Sequence, residues 1–435
     1  MRAPCGGRTE LTASPPTCLA RARVPSCLLE GVATAAELAL VDIDLADGRI
    51  AALRPSAGPP PGAASDLAGR LVLPGFVDMH THLDKGHIWP RAANPDGSFW
   101  AALETVEADR CANWSAEDVA ARMEFALRCA HAHGTVAIRT HLDARPPQAE
   151  ISFPVFAELR ERWKDRITLQ AVSLAMLEDY RGAAGERLAD LVAAHGGVLG
   201  AVPLPGAALD ADLDRFLALA AERNLAIDCH IDETLDPAAR ALRHLAEALL
   251  RRGFAQPAVA GHCCSLAAQP EAEMRETLAR VHAAGIAIVA LPMCNMYLQD
   301  RTPGRTPRRR GVTVLHEARA SGIPVAVASD NTRDPFYAYG DLDMHEVFRE
   351  AVRIAHLDHP LGDWVKAATA TPAAIIGLPQ RGRIAVGLPA DLVVCEGRSW
   401  SEVLSRPEAG RRVLRAGLPI DTAPPPYAEL DPLFA

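Results

Sequence analysis

From residue 74 to about residue 330, short apolar stretches alternate with long amphipathic segments eight times over. The strand-like stretches lie near 75–82, 134–141, 167–174, 198–204, 226–232, 258–263, 287–292 and 324–330. The intervening segments, such as Ala116–His133 and Asp236–Arg252, carry apolar residues at helical spacing. Eight consecutive β-then-α units predict an α/β fold, a (β/α)8 TIM-like barrel over residues 74–377 with its helices outside. In such a barrel the reactive side chains sit at the C-terminal strand ends.

The flanks read differently. Leu38 to Leu45 and Arg49 to Leu53 are strand-like and joined by an Asp47-Gly48 turn, a hairpin signal. Strand-like text returns after residue 378, in Gly382–Gly387 and Ala390–Val394. Neither flank has enough strands to stand alone, so 27–73 and 378–435 are expected to share a small β-sandwich. Residues 1–26 read as a loose extension, and the Pro-rich tail at 424–426 as either an ordered arm or a loose end.

Composition narrows the function classes. The chain has 435 residues, 49% hydrophobic and 23% charged, with a net charge of −9, so a nucleic-acid partner is not expected. The basic run Arg305 to Arg310 reads as a solvated loop. The first 25 residues hold no apolar core of signal length and no run of 18 apolar residues occurs, so no membrane association is expected. Ten cysteines without a C-x-x-C pair suggest reduced thiols and a cytoplasmic protein. A homo-oligomer is compatible with all of this.

Polar residues close several of the expected strands. His80 and His82 stand two apart, on one face of strand one. His230 ends strand five, His262 strand six and Asp330 strand eight. One buried histidine on an apolar strand is ordinarily a core residue, but four histidines and an aspartate at one barrel mouth need a shared task. Imidazoles with a carboxylate suit Zn²⁺ or Fe²⁺.

With these positions go the motifs P-G-F-V-D-M-H-T-H-L-D-K (74–85), H-I-D-E (230–233), G-H-C (261–263), R-R-R-G-V-T (308–313), S-D-N-T-R-D-P-F (329–336) and G-R-I-A-V-G-L-P-A-D-L-V-V (382–394). In this order they resemble the amidohydrolase superfamily, and within it the cytosine deaminase branch. The resemblance runs from about residue 30 to 420. It implies one divalent ion, Zn²⁺ or Fe²⁺, held by His80, His82, His230 and Asp330. Strand four, Gly200-Ala-Val-Pro-Leu-Pro, lacks the bridging lysine of two-metal members, which argues for a mononuclear site. It further implies a proton-shuttling role for Glu233, stabilisation of the tetrahedral intermediate by His262, and acceptance of the water's proton by Asp330. The implied reaction is hydrolytic deamination of a small heterocycle, a cytosine-like pyrimidine, pterin or triazine. A metal-activated hydroxide attacks the amino-bearing carbon and ammonia leaves.

The substrate shell departs from that branch. Met176 stands where the branch carries an amide-reading glutamine, and Asn331 where a second aspartate is common. Met176 cannot repeat bidentate amide recognition, and Asn331 offers a donor that a carboxylate lacks. Met176, Asn331, Phe336 and Lys85 are the expected substrate contacts, with pairing to Asp84 the alternative for Lys85. Asp334 is expected to shape the pocket wall. His131 and His133 read as capping a helix C-terminus, and His141 and Asp143 as packing near the barrel mouth. His87 and Trp89 either line the pocket or face solvent. Two other functions stay open: hydrolysis of a cyclic amide or an N-substituted amine, and a non-catalytic barrel that keeps metal for structure.

Overall fold

The computed structural model describes residues 17–60, 64–407 and 409–434. Strands β1 (Cys18–Pro25), β2 (Leu38–Ala46), β3 (Arg49–Pro55), β4 (Ser65–Asp66) and β5 (Val72–Pro74) come first. The barrel strands follow: β6 (Phe76–Thr81), β7 (Thr135–Asp143), β8 (Thr168–Leu174), β9 (Ile227–Ile231), β10 (Ala258–His262), β11 (Ile286–Ala290) and β12 (Val325–Val327). The chain then adds β13 (Leu392–Cys395), β14 (Arg411–Arg415) and β15 (Leu418–Pro419).

The chain divides into two units, one from Met1–Leu73 with Ile384–Asp421, the other from Pro74–Arg383 with Thr422–Ala435. The first holds two four-stranded sheets, β3-β2-β1-β4 and β15-β14-β13-β5, the second drawing strands from both flanks. Leu19, Val24, Val41 and Ile43 of one sheet share an apolar core with Leu392, Val394 and Leu414 of the other. Burial of such side chains supplies about 1.5–3 kcal/mol each.

Two parts of the flanks differ from the expectation. Residues 18–25 are not a loose extension but the strand β1, paired antiparallel with β2. Leu19, Ala22 and Val24 are buried while Arg21 reaches Asp66, an alternation that its two arginines mask on first reading. The rest of the supposed extension, residues 1–16, lies outside the described residues. At the other end, 422–434 is an ordered arm grouped with the barrel rather than the sandwich. Leu430 packs on Phe125 and Cys129, Tyr427 donates to Asp341, and Glu429 pairs with Arg128.

In the second unit β6-β7-β8 and β9-β10-β11-β12 form two parallel runs. Bridges complete the ring: Val172 with Val198, Met176 with Val202, Leu199 with Ile227, and Thr81 with Asp330. Residues 198–202 thus fill the place of strand four through single bridges. Gly200 explains how tightly they fit, because a Cβ there would lie 2.2 Å from the Ser173 carbonyl oxygen and 2.7 Å from that of Asp228. Val77, Met79, Val136, Val259, Val289 and Ala326 pack together inside the unit with Ala373 and Ile376. Among the described residues, no helix is long and apolar enough to cross a membrane.

Candidate metal centre and substrate cavity

Alternation along β6 turns His80 the same way as His82, just past the strand end. The Asp330 backbone is pinned across the ring, its N–H donating to the His80 carbonyl (2.8 Å) and its carbonyl accepting from Thr81 Oγ1 (2.8 Å). Ser329, one residue earlier, donates from its backbone and its hydroxyl to Asp78. Asp330 and His262 both hold left-handed backbones, φ 64° and 68°. Such strain in a non-glycine residue persists only where its surroundings impose it, and it collects at functional sites.

Four donor atoms converge as a result. His80 Nε2 lies 3.2 Å from His230 Nε2, which lies 3.4 Å from His82 Nε2. Asp330 Oδ1 is 3.2 Å from His82 Nε2 and 3.6 Å from His80 Nε2. Each of these four spacings is short enough for the paired atoms to reach one small cation at the usual Zn–N and Zn–O distances of about 2.0–2.2 Å. Among the described residues, no nitrogen or hydroxyl donor satisfies Asp330 Oδ1 or Oδ2, and each ring Nδ1 of the three histidines is also without a hydrogen-bond partner. Burial pushes the pKa of His80, His82 and His230 well below the ordinary value, so the rings are neutral and their lone pairs free. The donor set therefore fits one small divalent cation. Gly261 makes room for it, because a Cβ there would lie 2.9 Å from His80 Cε1. Gly261→Ala is expected to displace that ring and to weaken metal binding about 10–100-fold, measured by competition with a chelator. An unchanged affinity would show that His80 has room to spare.

Beside the donors lies a cavity of about 420 Å³. Glu233 and His262 both line it, 3.4 Å apart between Oε1 and Nδ1. Burial, and then the neighbouring Asp330 charge, push the Glu233 carboxyl well above its ordinary pKa, which favours its protonated form. Burial pushes His262 the other way, to about 3, so it stays neutral.

The four expected substrate contacts, Met176, Asn331, Phe336 and Lys85, all line this cavity. Lys85 pairs with Asp143 (3.2 Å), not Asp84, and its ammonium lies 5.1 Å from the Phe336 ring centroid. Burial opposes its charge, but Asp143, Asp334 and Asp84 outweigh that and raise its pKa. Asp84 instead accepts from the Asp143 backbone and Ser152. Asn331 donates to Asp334 (2.7 Å) and accepts from Cys294. Asp334 also accepts from the Phe336 and Tyr337 backbones, which shapes the wall.

His141 lies against the metal centre, its ring centroid 3.9 Å from that of His80. His131 and His133 end the helix Ala116–His133, capped by Gly134 at φ 99°. His87 packs on Phe125 and Tyr427, and neither it nor Trp89 lines the cavity. Phe99, Trp100, Leu103 and Arg110 do, from a helix over Phe99–Asn113 that the sequence reading passed over. Ser98, which caps it, was the available signal. Asn295 and Gln299 were also missed. They stand four apart on and just after the short helix Pro292–Leu298, and both reach Glu233.

Residues 63–201 and 158–420 match the amidohydrolase family. A pterin deaminase of Rhizobium rhizogenes (strain K84) is 56% identical over 417 residues, 95% of each chain. An N-isopropylammelide isopropyl amidohydrolase of Pseudomonas sp. (strain ADP) is 28% identical, over 77% of this chain and 82% of that one. In fold, the chain is similar to a 5-methylcytosine deaminase of Klebsiella pneumoniae liganded with 5-fluorocytosine. The TM-score is 0.81 at 24% identity, over 93% of this chain and 97% of that one. Sequence and fold similarity thus both span nearly the whole chain, and the protein belongs to the amidohydrolase family.

Proposed function

We propose that this chain is a mononuclear metal-dependent hydrolase that deaminates pterin, releasing ammonia and leaving the oxo heterocycle. The observation that carries this is the 56% identity to a pterin deaminase across 95% of both chains. Two features of the cavity agree with it. Met176 replaces an amide reader, and apolar side chains (Leu174, Met176, Val202, Leu298, Phe336) form much of the wall. Such a wall suits the faces of a bicyclic ring more than the edge of a small pyrimidine.

His80, His82, His230 and Asp330 would hold one Zn²⁺ or Fe²⁺ ion. Such an ion is a Lewis acid that lowers the pKa of water from ~15.7 toward ~7. Asp330 takes a proton from the attacking water. Glu233, whose raised pKa favours the protonated carboxyl, delivers its proton to the ring nitrogen beside the carbon under attack, which draws electrons away from that carbon. His262 donates a hydrogen bond toward the oxygen as the carbon becomes tetrahedral. Lys85 and Phe336 bound the ring from the side. When the carbon–nitrogen bond breaks, the proton taken up by Asp330 leaves with the amine as ammonia, and the hydroxyl proton remaining on the new oxygen passes to Glu233, which restores the acid and leaves the oxo product.

The test has two measurements. Elemental analysis of the loaded protein should give about one divalent ion per chain, and two would overturn the mononuclear reading. With pterin, one ammonia should appear for each oxo product formed. Ammonia from cytosine but not pterin, or an alkylamine from N-alkyl triazines alone, would overturn the substrate assignment.

A further inference from the structure

Asn295 is 1% exposed, and its side-chain amide touches both groups assigned to proton handling. Nδ2 lies 3.2 Å from Glu233 Oε1 and 2.9 Å from His262 Nδ1. An amide nitrogen has two hydrogens and no lone pair to offer, so it can only donate, one hydrogen to each neighbour. His262 Nδ1 must then accept, and a neutral imidazole that accepts at Nδ1 carries its proton on Nε2. That Nε2 is buried and has no partner, and His262 lines the cavity.

We propose that Asn295 is a positioning residue that sets the tautomer of His262. By donating to Nδ1 it leaves Nε2–H as the hydrogen-bond donor for the oxygen that forms during the reaction. The same bond denies Nε2 a lone pair, which keeps His262 out of the cation's donor set although its ring lies 5.0 Å from that of His230. The second hydrogen orients the Glu233 carboxyl toward the ring nitrogen.

The surrounding backbone is built to hold this amide. The Asn295 N–H donates to Leu291 O (2.9 Å), and its carbonyl accepts from the Gln299 N–H (2.9 Å). Gln299 Nε2 donates to the Glu233 carbonyl (3.0 Å), so one turn of helix grips that residue at side chain and backbone. Gly311 lets the following loop close over the turn: at φ +77°, a Cβ there would lie 2.4 Å from Gln299 Cβ and 3.0 Å from Asn295 O. Conformational freedom and lack of a side chain are both needed at that position.

Ring ¹⁵N spectra of the Zn²⁺-loaded protein test the tautomer directly, with His262 identified by the signals lost in His262→Gln. Wild type should show a protonated Nε2 and a bare Nδ1. Asn295→Asp keeps the shape but turns the donor into an acceptor, so the proton should move to Nδ1. Its metal content should stay near wild type. On the pterin reading, kcat should fall about 10²–10³-fold, as when one oxyanion donor is lost, with KM changed little. The reversed amide, Oδ1 toward both groups, would require Nδ1–H in wild type, and that spectrum would overturn the proposal. So would Asn295→Asp with Nε2–H retained. The spectra need no substrate, so they decide the tautomer even if pterin proves not to be turned over.

Discussion

Glu233→Gln is expected to keep its metal and its fold while turnover of pterin falls by about 10²–10⁴, the usual loss when a general acid–base is removed. The argument rests on position and environment together. Glu233 stands two residues beyond β9, past His230, and its carboxyl lines the cavity within hydrogen-bonding reach of Asn295. Burial and the nearby Asp330 raise its pKa, which favours the protonated form that a general acid needs. Glutamine fills the same space and still accepts from Asn295 through its amide oxygen, but it has no proton to give. The loss should therefore appear in kcat, with metal content by elemental analysis unchanged. Near-normal turnover in the metal-loaded variant would move the acid elsewhere, with His262, 3.4 Å away, the first alternative.

Asp330→Asn should act one step earlier, on the metal itself. Asp330 Oδ1 is the only carboxylate oxygen among the four converging atoms, so the change removes the site's one anionic donor. Three neutral imidazoles then face a divalent charge in a buried site without compensation. Affinity should fall further than the ~10–100-fold seen when only an outer-shell partner is changed, and turnover should be lost with it. The backbone bonds of residue 330 to His80 and Thr81 do not involve the side chain, so the barrel seam should survive. A melt should show a folded protein whose Tm no longer rises when metal is added, because a ligand stabilises only the state that binds it. Full metal content in Asp330→Asn would remove this residue from the donor set. Comparing the two variants separates loss of proton transfer from loss of the ion.

Much of this was legible in the chain. The eightfold alternation of apolar and amphipathic segments exposed the barrel because both patterns are local and periodic, and seven of the eight expected strands overlap β6 to β12. Strand four was located near 198–204, where the structure has only bridges, since Gly197, Gly200 and Pro203 weaken a regular ladder. The donors His80, His82, His230 and Asp330 stood out because each ends an apolar strand, where a buried polar residue needs a reason. Residues 18–25 were misread because two arginines in eight residues look solvated until Asp66 is seen beside one of them. The arm at 422–434 carries no periodic pattern, and its order comes from contacts with residues some 90 to 300 positions earlier.

The sequence by itself determined the residue types, their order and the faces they occupy: which strands carry candidate ligands, and which positions depart from the cytosine deaminase pattern. Tertiary structure alone decided how side chains pair across the barrel mouth. Lys85 pairs with Asp143 rather than with its neighbour Asp84, whose Oδ2 accepts from the Asp143 backbone N–H and the Ser152 hydroxyl. Asn295 looked like any polar residue on a short helix until closure of the ring brought it between Glu233 and His262. Periodicity along the chain reports which face a residue occupies. It carries no information about which residue, 33 or 62 positions away, will share a hydrogen bond with it, since that depends on the closed ring of strands.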